Sequence, residues 1–305
     1  MENAIGFIGL GNMGLPMLEN LVNARDERIY ALDCADSPFE QLSQNPAWGK
    51  RLFRAQCIED LGECTLVITI LPNSLITNDV LSGSAERPGL RDVLRPGSLV
   101  VDMGSSSSGE TQTQGRKLAE KGIMLIDAPV SGAVAKARTG KLAIMVGGDA
   151  SARDKAIPYL RCMGETIIPT GHLGSAHAIK SLNNYVYAAG LLAISEALAI
   201  AERLKLDLNV VTDIINASSG RNVASETKVK QFIIPRTFAG GFALSLMAKD
   251  LRTAAELQDA CNFEAPQLTL CERIWSQACA RLPDGADNTE IYRVVNRETL
   301  AVEAH

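Results

Sequence analysis

The sequence predicts an α/β protein: a doubly wound, mostly parallel sheet followed by an all-helical C-terminal domain. Seven short apolar runs recur between helical segments from Ile5 to about Gly171: IGFIG, RIYALD, LVITILP, SLVVDMG, MLIDAPV, LAIMVGG and ETIIPTG. Runs that are apolar throughout predict strands covered on both faces, as in a parallel sheet. After Gly171 no such run returns, and 176–204 and 243–261 show helical spacing instead. At 305 residues the chain is about twice the common domain size, so two domains are expected, 1–170 and 171–305, joined by the helix at 176–204.

Composition narrows the class. With 46% hydrophobic and 21% charged residues, the chain is expected to be an ordinary soluble globular protein. A net charge of −5 without a dense basic cluster argues against nucleic acid as a partner. Seven cysteines, an odd number with no CxxC pair, suit neither a disulfide framework nor a zinc site and predict a reducing, cytoplasmic setting. Only MENA precedes the first apolar run, so no secretory signal is expected. Residues 185–201, YVYAAGLLAISEALAIA, approach membrane-span length, but Glu196 and the many alanines predict a buried helix and no membrane. His172, His177 and His305 form no metal-ligand set, and His177 is read as a polar helix residue.

The first strand runs into GLGNMG. Gly9 permits the tight turn, Gly11 lets the backbone approach a pyrophosphate, Gly14 allows close helix-to-strand packing, and Leu10, Asn12 and Met13 complete the turn. The following helix N-terminus favours phosphate. A Rossmann-type dinucleotide site is therefore expected.

The second strand ends at Asp33, placed to accept hydrogen bonds from the adenine-ribose hydroxyls. No Lys or Arg occurs from Ile29 through Trp48 to pair with a 2′-phosphate, so NAD is preferred over NADP. Later strand ends line the same crevice, which adds Leu71, Pro72, Asn73 and Ser105 as cofactor contacts.

The strand MLIDAPV empties into SGAVAKARTG, where the Ser131 hydroxyl and the Gly132 amide can hold a carboxylate by neutral donors. Farther on, a helix beginning near Ser175 places Lys180, Asn183 and Asn184 at i, i+3 and i+4, on one face. A lysine desolvated in an apolar cleft is pushed toward its neutral form and can exchange a proton with a substrate hydroxyl. Asn184 can hold that substrate, while hydride passes to the nicotinamide. Lys249 and Asp250 stand side by side near a helix start after Phe242; adjacent helical residues do not face each other, so a simple ion pair is not expected.

Together these residues resemble the β-hydroxyacid dehydrogenase family, and most closely its 3-hydroxyisobutyrate dehydrogenase-like members, from Ile5 to about Ala280. GFIGLGNMGLPM is similar to the family's cofactor signature, DAPVSGA to its substrate signature, GHLGSAHAIKSLNN to its catalytic signature and MAKDL to its C-terminal-domain motif. The resemblance implies Lys180 as the catalytic residue and Ser131, Gly132 and Asn184 as substrate contacts, with Ala133 and Asn183 beside them. It implies Ser105 and Lys249 as cofactor neighbours, with Phe242 at the same place, and Asp250 as a hydrogen-bonding support. A homodimer or homotetramer through the helical domain is implied as well.

Two departures stand out: Ala133 and Ala176 occupy positions where the family usually has Gly. SSGR at 218–221 resembles hydroxyisobutyrate-type and hydroxymethylglutarate-type members, and Arg221 would meet a second substrate carboxylate. The expected activity is NAD-dependent interconversion of a small 3-hydroxy acid, foremost 3-hydroxyisobutyrate, and its semialdehyde. Reduction of tartronate semialdehyde and oxidation of 2-(hydroxymethyl)glutarate remain open within the class. A non-catalytic NAD(H)-binding regulatory protein is the alternative outside it.

Overall fold

All seven apolar runs become strands in the computed structural model, which describes residues 3–298; His305 and the end of the expected helical domain lie outside the described residues. The first part runs β1 (Ala4–Ile8), α1 (Gly14–Ala24), β2 (Arg28–Leu32), α2 (Ser37–Leu42), β3 (Leu52–Arg54), β4 (Cys64–Thr69), α3 (Ser74–Ser82), α4 (Leu90–Val93) and β5 (Leu99–Asp102). It continues with α5 (Ser108–Ala119), β6 (Met124–Asp127), β7 (Val130–Ser131), α6 (Ala133–Arg138), β8 (Leu142–Gly147), α7 (Ala150–Leu160) and β9 (Gly164–Gly171). Helices then follow alone: α8 (Ser175–Arg203), α9 (Leu208–Asn216), α10 (Val223–Thr227), α11 (Leu244–Cys261), α12 (Pro266–Cys279) and α13 (Ile291–Val295). A π-helical turn at Val229–Ile233 follows α10.

The sheet order is β3-β2-β1-β4-β5-β6-β8-β7, with β9 paired to β8. Pairings are parallel except β6 with β8 and β7 with β8. Strand β1 has β2 on one side and β4 on the other, so the order reverses there and opens the crevice where doubly wound sheets hold ligands. Ile5 and Phe7 belong to one apolar core and Ala4 and Ile8 to a second. Because both faces are covered, the strands read as continuous apolar runs. Strands β3 and β7 went unseen in the sequence because LFR and VS are too short to carry a period.

The chain divides into two compact units between Lys180 and Ser181, inside α8. In the second unit, Leu191, Leu198, Met247, Leu251, Trp275 and Tyr292 form one buried cluster. Helix α8 is long and apolar enough to cross a membrane, and half of its most apolar window is buried inside the protein.

Candidate active site

The glycine-rich turn sits between β1 and α1, and the packing requires glycine at two of its positions. Gly9 has φ of 98°, and a Cβ there would stand 2.3 Å from the Ile70 carbonyl oxygen. A Cβ on Gly14 would stand 1.9 Å from the Gly9 carbonyl oxygen. At Gly11 no atom lies within 4 Å of that position, so the turn presents bare backbone to the outside. That open cradle fits a pyrophosphate. Gly11 and Asn12 are exposed, Leu10 is buried and Met13 is half-buried.

Asp33 follows β2 and binds the turn directly. The Leu10 amide donates to its Oδ2 at 2.6 Å and the Ala35 amide to its Oδ1 at 2.8 Å. One basic side chain reaches this region from outside the Ile29–Trp48 window. Arg54 ends β3, pairs in register with Ala31 of β2, donates to Asp36 at 2.6 Å and lies over the Phe39 ring at 4.2 Å. Only the pairing of β2 with β3 reveals it.

The loops after β4 and β5 are tied together. Asn73 caps α3, its Oδ1 accepting the Ile76 amide at 3.0 Å; Leu71 is half-buried and Pro72 exposed. Ser74 Oγ accepts the Ser107 amide at 2.8 Å. Asp102, buried at the end of β5, accepts from the Thr69 hydroxyl at 3.2 Å, the Gly104 amide at 3.0 Å and the Ser106 hydroxyl at 2.8 Å. These bonds shape the loop on which Ser105 stands half-buried. Neither Asp102 nor Ser106 was marked by any motif in the sequence.

Ser131 ends β7, and Gly132 turns the chain into α6 with φ of 139°. Ala133 takes φ of 55°, the left-handed region that favours glycine, which is the physical content of its departure from the family pattern. Four residues ahead of Ser131, the buried Asp127 carboxylate accepts the Gly174 amide at 2.8 Å and the His177 amide at 2.9 Å.

His177 lies in α8, as read from the sequence, and the structure adds that it is buried among polar partners. It is 1% exposed, its Nδ1 lies 2.8 Å from the Thr111 hydroxyl, and its ring nitrogens lie 3.9 Å from Asp102 and 4.0 Å from Asp127. A lone histidine with no local pattern gave no signal of this, because all three partners come from distant strands and helices. Among the described residues no group of His, Cys, Asp and Glu is placed to hold a metal ion.

Along α8, Lys180 is half-buried, Asn183 exposed and Asn184 buried. Asn183 Nδ2 donates to Asn184 Oδ1 at 3.2 Å, and Asn184 Nδ2 donates to Asp250 Oδ2 at 2.5 Å. The expectation that Lys249 and Asp250 would not form a simple ion pair is corrected: Lys249 Nζ lies 3.0 Å from Asp250 Oδ1. Neighbouring helical side chains diverge, but the flexible four-carbon lysine stem reaches back to the adjacent carboxylate.

Phe242 is half-buried just ahead of α11, its amide donating to Asp287 Oδ2 at 3.1 Å. Lys228 donates to the Gly240 carbonyl at 2.7 Å, and burial pushes its ammonium below the usual lysine range. Arg221 is exposed, 3.6 Å from Glu226.

Comparison with known proteins agrees in order and extent. Residues 4–172 match the family model of the NAD binding domain of 6-phosphogluconate dehydrogenase. Residues 174–295 match that of the NAD-binding of NADP-dependent 3-hydroxyisobutyrate dehydrogenase. The chain is 34% identical to the 2-(hydroxymethyl)glutarate dehydrogenase of Eubacterium barkeri over 89% of this chain and 87% of that one. It is 32% identical to the mitochondrial 3-hydroxyisobutyrate dehydrogenase of Drosophila melanogaster over 98% and 91%. The 3-hydroxyisobutyrate dehydrogenase of Mycobacterium tuberculosis, solved with L-serine, superposes with a TM-score of 0.84 at 30% identity, covering 97% of this chain and 99% of that one. With the glycine cradle, the acidic end of β2 and an all-helical second unit built as these relatives require, the chain belongs to the β-hydroxyacid dehydrogenase family, in its 3-hydroxyisobutyrate dehydrogenase-like branch, and is a nicotinamide-dependent oxidoreductase acting on the CH–OH group of a hydroxy acid.

Proposed function

We propose that the protein interconverts 3-hydroxyisobutyrate and its semialdehyde, with NAD as the cofactor. Bound, the nicotinamide supplies the hydride chemistry at its carbon 4. The residues supply the rest. Lys180 moves the proton of the substrate hydroxyl, Asn184 and Asn183 orient the substrate, and the Ser131 hydroxyl with the Gly132 and Ala133 turn receives its carboxylate. The observation that carries this reading is the bonded series Asn183, Asn184, Asp250, Lys249, which starts one helical turn after Lys180.

The cofactor is held by Gly9, Leu10, Gly11, Asn12, Met13 and Gly14 at the pyrophosphate. Asp33 lies at the adenine ribose, with Leu71, Pro72, Asn73, Ser105 and Phe242 along its length. Asp33 supports NAD over NADP, because a carboxylate tied to the Leu10 and Ala35 amides repels a 2′-phosphate. Arg54, at the end of β3, is engaged by Asp36.

The 34% identity to a 2-(hydroxymethyl)glutarate dehydrogenase favours a second reading, a dicarboxylic substrate met by Arg221. Arg221→Met separates the two, since only a diacid would lose its preference. Two copies of the chain associate through the helical unit in this proposal, a reading supported by exposed Ile179, Leu182, Val186 and Ile200 on α8 and Val210 and Ile214 on α9. Light scattering at native concentration tests it, and a monomer would refute it. Exposed free Cys34, Cys57 and Cys261 support a cytoplasmic setting, which a fractionation assay checks.

The deciding experiment follows NADH absorbance with NAD or NADP and a panel of 3-hydroxy mono- and dicarboxylic acids. Turnover of 3-hydroxyisobutyrate with NAD, lost in Lys180→Ala while NADH still binds, is the expected result. A fully active Lys180→Ala removes the lysine's role. NADH binding without turnover of any hydroxy acid or semialdehyde leaves a non-catalytic binding protein.

A further inference from the structure

Helix α8 starts at Ser175, directly after the β9 strand and its turn. Its first amides have no acceptor within the helix, and Gly174, the residue ahead of it, is a glycine with φ of 87°. Asp127 supplies the acceptor from the end of β6. One carboxylate oxygen takes the Gly174 amide at 2.8 Å and the other the His177 amide at 2.9 Å, which places a fully buried negative charge at the positive end of a 29-residue helix.

The seat has no slack. A Cβ on Gly147, the register partner of Asp127 on β8, would lie 2.4 Å from the carboxylate, 2.8 Å from the His172 carbonyl and 2.9 Å from the Ser175 hydroxyl. His177 blocks rotation of the helix about its axis, because its ring lies within 4.0 Å of Asp127 and 3.9 Å of Asp102 and its Nδ1 meets Thr111 at 2.8 Å. The Thr111 hydroxyl also lies 2.9 Å from the Ser107 carbonyl oxygen, which holds it against its own helix.

We propose that Asp127 is a positioning residue of the reaction: it locks the first turn of α8 to the end of β6, and so sets where Lys180 stands relative to the Ser131–Gly132 turn. Lys180 follows His177 by three positions, one turn along the same helix, and Ser131 follows Asp127 by four, at the end of the short strand β7 that comes next. A displacement of the amine by about 1 Å can cost on the order of 100-fold in rate. The inference rests on the proposed role of Lys180.

Asp127→Asn tests it, because an amide can accept only one of the two N–H groups and turns its own donors toward the other. Expected is a fall in kcat of about 10- to 100-fold, with the hydroxy-acid KM and the NADH Kd changed by less than about threefold. Circular dichroism establishes that the variant is folded.

In a Lys180→Ala background the same change should alter the residual rate by less than about twofold, since no amine is left to place. A wild-type kcat in Asp127→Asn, or an equal fall in both backgrounds, overturns the proposal. Should Asp127→Asn not fold, Thr111→Val keeps the carboxylate and loosens His177, and the expected kcat loss is about 3- to 10-fold with the same non-additivity; an unchanged kcat there overturns it as well. Failure of the functional reading looks different, because Lys180→Ala alone would then be fully active.

Discussion

Asn184 donates a hydrogen bond to Asp250 across 2.5 Å, and that contact fixes which end of its amide faces which way. A carboxylate only accepts, so the Asn184 atom against it must be the nitrogen. Its oxygen then takes the Asn183 amide hydrogen at 3.2 Å, and in the proposed reaction the second hydrogen on Asn184 Nδ2 is the one turned to the substrate. Lys249, 3.0 Å from the other carboxylate oxygen, holds Asp250 in place.

Asp250→Ala should therefore do more than remove one hydrogen bond. It leaves a buried amide and a half-buried ammonium without their shared partner, a loss of roughly 1–3 kcal/mol in stability. It also frees the Asn184 amide to turn, and kcat/KM should fall by about 100-fold. In a cycle with Asn184→Ala the two losses should couple by about 0.5–3 kcal/mol. Strict additivity would sink the idea that Asp250 acts through Asn184.

Alkaline pH should loosen the helical unit through two tyrosines. Burial pushes the Tyr292 hydroxyl up to about 12, helped by its donation to Glu202 at 3.0 Å, and burial pushes Tyr187 up to about 12. An unfolded tyrosine titrates near 10, so between about pH 10 and 12 the native chain holds protons that the unfolded chain has released. The resulting stability is fully present below about pH 10 and is lost as the pH rises through about 12. Urea midpoints measured across that window should fall, and Tyr292→Phe should flatten the fall while losing about 1 kcal/mol at neutral pH from the missing Glu202 bond. Tyrosinate absorbance at pH 10 that is larger in the native protein than in a Tyr187→Phe, Tyr292→Phe variant would contradict this.

The strands and the dinucleotide turn were legible because their signals are local: an apolar run, a glycine spacing, an acid at a strand end. That Lys180, Asn183 and Asn184 stand on one helix was legible for the same reason, although Asn183 is exposed while Asn184 is buried. What stayed hidden depends on pairing between distant segments. Arg54 reaches Asp36 only because β3 lies beside β2, and His177 meets Asp102, Thr111 and Asp127 only once β5, α5 and β6 are assembled. Lys249 and Asp250 misled for another reason: helical period places side-chain roots, and a long lysine is not bound by where its root points.

Cys34 offers a direct test of where the nucleotide lies. It is exposed and immediately follows Asp33, whereas Cys261 is exposed at the far end of α11 in the helical unit. Saturating NADH should slow iodoacetamide labelling of Cys34 by at least about tenfold and leave Cys261 unchanged, by simple occlusion. Cys64 and Cys271 should stay unlabelled throughout, because burial raises their thiols to about 12 and about 11 and only the thiolate reacts. Mass spectrometry of the labelled peptides reads all four sites at once. Equal labelling of Cys34 with and without NADH would place the adenosine elsewhere.

Ala133 should carry both a stability cost and a specificity effect. At φ of 55° its Cβ crowds the following carbonyl, and Ala133→Gly should raise stability by about 1 kcal/mol, read as a higher urea midpoint. Its neighbour responds in the opposite sense. Gly132 has φ of 139°, and a Cβ there would lie 2.7 Å from Lys136 Cδ, so Gly132→Ala should destabilise the turn and weaken substrate binding. Because Ala133 stands beside the donors assigned to the carboxylate, removing its methyl should also favour larger acids. A single methyl-sized change in a pocket is worth about 1–3 kcal/mol, so the kcat/KM ratio of a hydroxymethyl diacid to 3-hydroxyisobutyrate should rise about tenfold or more in Ala133→Gly. A more stable variant with an unchanged ratio would confine Ala133 to backbone strain and move the size filter away from this turn.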